Sequence, residues 1–382
     1  MSLPQPDSSL PHLADVVPSI LAAMDIHDLG GGLDVGREVA GACVLLIDGL
    51  GADLLDTYAA DAPVLAGLRG QTLQVGFPST TAAGLAAIGT GRRSGQHGMV
   101  GYSFRLPTGD PDSPVFNALR WRPHPWGPDL RDTLIPEDVQ PLPTTFERAA
   151  AAGVAVSVVS GSEFAGSGLT RAVLRGATYV GVHALGDLAA GVSRVLDDRG
   201  FCYGYHSELD LVGHLYGPGS AAWRMQLRQV DRLVESVVDA LPAGALLAVV
   251  ADHGMVTADP AQVVDIDSAP HLLAGVHSIG GEPRARHVYV TAGADSSVAD
   301  TWREALAGRA WVASRDEAIE AGWFGGPVSD RVRHRIGDLV VAATESAVLV
   351  RRQVEPSESA LVGHHGSLTP AEQRVPLLLA RG

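Results

Sequence analysis

Five short segments carry residues able to do chemistry: Asp48 in LLIDGLG, the hydroxyl run Ser79-Thr80-Thr81 in FPSTT, Asp210 with His214 four residues on, Asp252-His253-Gly254, and His364-His365-Gly366. Taken singly, each has a plain structural reading, because an acid at a strand end caps or turns the chain and an Asp-His pair in a loop can satisfy itself. Together, counting one of the two adjacent histidines, they supply three carboxylates and three imidazoles from separate segments. That is the inventory of a dinuclear zinc site. Asp210 and His214, four apart, can face one ion from a single helical turn. Asp252 and His253 are adjacent and must diverge, which the bent backbone allowed by Gly254 permits.

The elements that would position these groups follow from the apolar pattern. Gly41–Asp48 is a short apolar run ending in a carboxylate, as expected of a buried parallel strand that opens into a loop. The same grammar recurs at Val154–Ser160 and Ala245–Asp252. Helical patterns at 52–68, 185–198 and 221–240 alternate with these runs, predicting an α/β fold: a doubly wound, mostly parallel sheet with helices on both faces. Ligands in such sheets bind beyond the strand C-termini, where Asp48 and Asp252 fall.

Two stretches break the rhythm. Residues 105–143, rich in Pro, Trp and Arg, read as a long lid-like loop. Residues 260–350 hold strand-like RHVYVTA, an amphipathic helix around Val298–Leu306 and the strand pair DLVVAA and AVLVRR, and read as a small inserted α+β cap. The expected division is a catalytic domain over 1–259 and 351–382 with the cap between.

Composition removes several classes. The net charge of −15 disfavours nucleic acid polymers and anionic membranes. A small phosphorylated substrate, a nucleotide among the options, stays compatible if bound metal makes the site locally positive. All 28 basic residues are arginine, which excludes a Schiff-base lysine and a P-loop lysine. Cys43 and Cys202 form no CxxC pair and read as small buried hydrophobes. No basic stretch followed by an apolar one opens the sequence and no apolar run reaches membrane-spanning length, so the expectation is a soluble, cytoplasmic protein.

Read in order, Ile47-Asp48-Gly49, Pro78-Ser79-Thr80-Thr81 with Thr90-Gly91 nine residues after Thr81, Asp210-x3-His214-x2-Gly217-Pro218, Asp252-His253-Gly254-Met255 and His365-Gly366 resemble the alkaline phosphatase superfamily. The nearest branch is the nucleotide pyrophosphatase/phosphodiesterase type, with phosphonoacetate hydrolases next. The resemblance implies two divalent ions, zinc with manganese as a substitute: one on Asp210, His214 and His365, the other on Asp48, Asp252, His253 and the Thr81 oxygen. It selects Thr81 as nucleophile, since the family threonine precedes the Thr-Gly dipeptide by nine positions, and His365 as ligand, since the family histidine directly precedes the glycine. The implied activity is hydrolysis of a phosphodiester or nucleotide pyrophosphate through a phosphothreonine. Phosphonoacetate-type or phosphomonoester hydrolysis is the alternative. A non-catalytic relative would lack a ligand or the nucleophile, and all seven positions are filled. One departure stands out: where the branch carries an asparagine that helps hold a phosphate oxygen, this chain has Ala82-Ala83-Gly84-Leu85, as if Gly84 had given up a recognition side chain.

Leaving-group recognition is therefore expected from outside the sheet. Arg284 and Arg286 read as a solvated or ion-paired surface pair able to meet a substrate anion. Trp121 and Trp126 read as loop packing or as platforms for a ring. His97, His206 and His364 read as structural or supporting groups.

Overall fold

The computed structural model describes residues 2–26, 30–107 and 112–382. The central sheet uses β1 (Gly41–Ile47), β2 (Arg69–Gln74), β3 (Val156–Gly161), β4 (Thr178–Val182), β5 (Phe201–His206) and β6 (Ala245–Val250). A second sheet uses β7 (Val276–Glu282), β8 (Ala285–Val290), β9 (Ala310–Ser314) and β10 (Leu339–Ala343), after which β11 (Arg374–Arg381) rejoins the first. The central order is β2-β11-β6-β1-β5-β3-β4. Only β11 runs antiparallel to its neighbours, between β2 and β6. Every residue of β1 and β6 is buried, because helices cover both faces. Such strands have no polar face, hence GACVLLI and ALLAVV.

The helices that matter are α1 (Thr81–Thr90), α2 (Leu185–Asp197), α3 (Glu208–Tyr216), α4 (Ala221–Asp239) and α5 (Asp295–Ala305). In α4, Trp223, Leu227, Val230, Val234 and Val237 form one buried stripe at helical spacing, and the Ser220 side chain caps the first turn. α1 is buried along its whole length. Its small residues allow that: a Cβ on Gly84 would lie 2.5 Å from the Asp252 side chain, and one on Gly89 would lie 1.8 Å from the Val173 carbonyl.

The single helix expected over 52–68 is instead two short ones, Ala52–Thr57 and Pro63–Gly67, joined by a 3-10 turn. Pro63 lacks the amide that would continue a helix and fits only the start of a new one. Within the lid-like stretch, Phe116–Asn117 and Arg122–Pro123 add short strands to Ser103–Phe104, and residues 108–111 lie outside the described residues. Among the described residues no helix is long and apolar enough to cross a membrane.

Candidate active site

β1 and β6 pair in parallel with Leu46 opposite Val250, so the acids just beyond both strands arrive side by side. The Gly49 amide donates to Asp252 Oδ1 at 3.3 Å. On the other flank of β1, the Asp48 amide donates to the His206 carbonyl, and the Tyr205 hydroxyl donates to Asp48 Oδ2. α3 presents Asp210 and His214 on one face, with Asp210 Oδ2 3.3 Å from His214 Nε2. His365 completes the cluster, its ring stacked on that of His253 at 3.5 Å between centroids. Asp210, His214 and His365 form one group, and Asp48, Asp210 and His253 another, with donor atoms in each within 4.8 Å of one another. Asp210 belongs to both, and Asp252 Oδ2 lies 3.7 Å from His253 Nε2.

Three carbonyls decide which nitrogens face inward. His253 Nδ1 meets the Gly254 carbonyl at 3.1 Å, His214 Nδ1 the Gly363 carbonyl at 2.7 Å, and His365 Nδ1 the Ser79 carbonyl at 2.8 Å. A carbonyl only accepts, so each Nδ1 carries a proton and, in the neutral ring, each Nε2 offers a lone pair. Lone pair then faces lone pair: His253 Nε2 is 3.3 Å from Asp48 Oδ1. Asp48 Oδ1, Asp210 Oδ1 and Asp252 Oδ2 are buried without a hydrogen-bond partner among the described residues. Buried acceptors converging without donors are costly until a proton or a cation lies between them, and this donor set fits divalent metal.

Electrostatics carries the same signature. Burial pushes the Asp48 and Asp252 carboxyls up; Asp252 and Asp210 add to the rise at Asp48, while at Asp252 His253 opposes it and Asp210 adds to it. Burial opposes ionisation of Asp210 as well, but His214 beside it pulls that carboxyl down. His214 is itself pushed up to about 9, because Asp210 outweighs the burial of its ring. A proton on His214 and a metal ion compete for the same negative charge.

The three adjacent hydroxyls have different fates. Ser79 Oγ donates to the Ser367 carbonyl at 2.8 Å, and Thr80 Oγ1 donates to Glu282 Oε2 at 2.8 Å. Thr81, the first residue of α1, has its Oγ1 3.4 Å from His253 Nε2, inside the cluster.

The sequence between residues 42 and 368 matches the model of the type I phosphodiesterase / nucleotide pyrophosphatase family. The chain belongs to this family of phosphoester hydrolases. No curated protein matches it by sequence. Solved structures share the fold. Murine ectonucleotide pyrophosphatase / phosphodiesterase 5 is 18% identical, with 90% of this chain and 88% of that chain covered at a TM-score of 0.66. An inactive threonine-to-alanine form of that mouse protein was solved in complex with AMP, and is 17% identical over 89% of this chain and 87% of its own at a TM-score of 0.66. Phosphonoacetate hydrolase from Sinorhizobium meliloti 1021, in complex with phosphonoformate, is 20% identical, with 90% of each chain covered at a TM-score of 0.67.

Several expectations need correction in this family member. Arg284 and Arg286 are not surface groups; both are fully buried. Arg284 makes a two-pronged ion pair with Glu372 at 2.9 and 2.5 Å, and Arg286 one with Glu355 at 3.1 and 2.7 Å. They clasp the β7–β8 hairpin to the C-terminal segment, and no face is left for a substrate. Gly84 has not surrendered a recognition group, since any side chain there collides with Asp252. Trp121 packs edge-on against Phe116 and donates to the Leu134 carbonyl, while Trp126 is exposed. His97 is buried and accepts from the Met99 amide; His206 contacts Glu208 and Gln226; His364 Nε2 contacts the Leu361 carbonyl.

Sequence reasoning missed two groups. Glu282 sits 3.9 Å from His365 and beneath Thr80, and burial pushes its carboxyl up to about 8. Its signal was a lone acid in the glycine-rich run SIGGEPR. Tyr205 holds Asp48 from the neighbouring strand, and its only signal was its place beside His206.

Proposed function

We propose that this protein is a metal-dependent phosphoesterase that cleaves a phosphodiester or nucleotide pyrophosphate through a phosphothreonine formed on Thr81. The observation that carries the proposal is the sorting of three neighbouring hydroxyls: Ser79 and Thr80 donate to the Ser367 carbonyl and to Glu282, while Thr81 meets His253 of the cluster. In this reading Asp210, His214 and His365 hold one divalent ion, and Asp48, Asp252, His253 and Thr81 hold the other. Bound zinc or manganese would supply the positive charge that makes a threonine hydroxyl acidic enough to react and that offsets charge on the departing oxygen.

The chain's own groups do the rest. Tyr205 and the Gly49 amide fix the Asp48 and Asp252 carboxylates, and the backbone carbonyls fix the imidazoles, so the ligands are held in place before substrate arrives. Thr81 gives its proton to solvent, its oxygen bonds to phosphorus, and the bond from phosphorus to the leaving oxygen breaks, that oxygen taking a proton from solvent when it departs as an alcohol. Water then attacks this phosphorus, the bond from phosphorus to the Thr81 oxygen breaks, that oxygen regains a proton, and a phosphomonoester is released. The positive end of α1, a ten-residue helix beginning at Thr81, favours the phosphoryl oxygens nearby.

A phosphonate carrying a carboxylate arm is the second reading, because a cavity of about 500 Å³ opens at Thr81 and His365 and Arg120 is the one arginine among its described lining residues. The test is turnover by zinc-loaded protein of bis-p-nitrophenyl phosphate, thymidine monophosphate p-nitrophenyl ester, p-nitrophenyl phosphate and phosphonoacetate. Diester hydrolysis dominating supports the first reading, phosphonoacetate dominating the second, and no turnover of any overturns both.

A further inference from the structure

Two cavities meet at Thr81, Asp210 and His214. The outer one, about 500 Å³, is lined by groups of mixed charge including Glu282, Glu358 and Arg120. The inner one, about 310 Å³, differs in kind. It runs from Asp48 and Thr81 between Leu85, Leu119, Phe164, Leu169, Leu174 and Tyr179, and no arginine is among its described lining residues. Much of its polar wall is already spent: Tyr179 donates to the Gly161 carbonyl, Thr170 to the Phe164 carbonyl, Ser167 to Thr170, and Tyr205 to Asp48. Tyr203, also on the wall, has a buried hydroxyl with no partner among the described residues. Leu119, Phe164 and Leu211 line both cavities, and Leu211 is 54% exposed, so their junction has an apolar rim.

A cavity of this composition rewards hydrocarbon and penalises groups that must leave water without new partners. A nucleoside placed there would bring ribose hydroxyls and a base edge to walls whose hydroxyls are largely engaged. We propose that the inner cavity is the specificity subsite for an uncharged apolar arm, alkyl or aryl, esterified to the phosphorus. The substrate class is then an alkyl or aryl phosphodiester, and Leu119, Phe164, Leu174 and Tyr179 decide it. This rests on Thr81 as the nucleophile, since that places the phosphorus where the cavities join.

The experiment is a series of p-nitrophenyl diesters, with methyl, butyl, hexyl or phenyl as second arm and the thymidine monophosphate ester for comparison, given to zinc-loaded protein. Each added methylene should raise kcat/KM about fourfold until the cavity is filled. The hexyl or phenyl ester should exceed the thymidine ester, and the ratio between those two assigns the arm as alkyl or aryl. Leu174→Trp, which fills the cavity, and Leu119→Arg, at the half-buried junction of the two cavities, should each flatten the dependence on chain length. Turnover with no such dependence, or with the thymidine ester preferred, overturns the subsite and leaves the Thr81 reading standing. If no ester turns over, the chemistry itself is misread. Calorimetry on the zinc-loaded Thr81→Ala variant then judges the cavity alone: hexyl phosphate binding at least tenfold tighter than inorganic phosphate supports it, and equal affinities refute it.

Discussion

Two regions of this molecule bury several charges, and they treat them in opposite ways. At the β7–β8 hairpin, Arg284 and Arg286 have their guanidinium groups matched to Glu372 and Glu355, with leftover donors taken by the carbonyls of Ala347 and Leu349. At the C-terminal ends of β1 and β6, Asp48, Asp210 and Asp252 converge with partnerless oxygens, and histidine lone pairs are turned toward them. Burying charge is expensive in both places. The first region recovers the expense wholly within the chain; in the second His214 offsets part of it beside Asp210, and the rest is left to what binds. Paired buried charge marks a clasp, and unpaired buried charge marks a site.

The largest effect that could break this contrast comes from metal. Chelation should abolish turnover and lower the melting temperature, and added zinc should restore both, measured by activity and calorimetry on one preparation. Asp48→Asn should sharpen it: zinc content falls, turnover is lost, and the metal-free variant is more stable than metal-free parent by about 1 kcal/mol, because a repelling carboxyl is gone. A metal-free variant less stable than its parent would mean that Asp48 is structurally paired.

The clasp predicts the reverse. Glu372→Gln should destabilise by about 3–5 kcal/mol, since it leaves Arg284 buried without its counter-charge, while zinc per chain stays unchanged. Denaturant unfolding with elemental analysis checks both halves of that statement.

A smaller effect follows from Glu355. Burial resists its ionisation, but Arg286 and His124 hold it down to about 2, against 4.5 unperturbed. Its folded-state value is depressed, so the stability it contributes is complete above about pH 4.5 and drains away as pH falls toward 2. The stability gap between parent and Glu355→Gln should therefore shrink through that window. A gap that does not change with pH would break the pairing.

Much of the fold was legible because strands covered on both faces leave an unmistakable apolar run, and β1 and β6 each lead straight to an acid. Asp210 and His214 were legible because i,i+4 spacing on α3 needs nothing from the rest of the chain. What escaped depended on partners remote in sequence. Arg284 reads as a surface residue until Glu372 is brought to it from 88 residues away, and Glu282 reads as hairpin decoration until Thr80 is laid over it. The inner cavity has no motif: its walls come from Leu85, Leu119, Phe164 and Leu174, each of which looks like ordinary core in its own segment. Gly84 misled because an absent side chain looks like a lost contact when it is a packing requirement against Asp252.

The central claim is that Thr81 becomes covalently phosphorylated. The direct measurement is rapid acid quench of zinc-loaded protein during turnover of a p-nitrophenyl diester, followed by peptide mapping by mass spectrometry. The account predicts a phosphoryl adduct on Thr81, absent from Thr81→Ala and absent without metal. An adduct on Thr80 or Ser79, or undiminished turnover by Thr81→Ala, would contradict it.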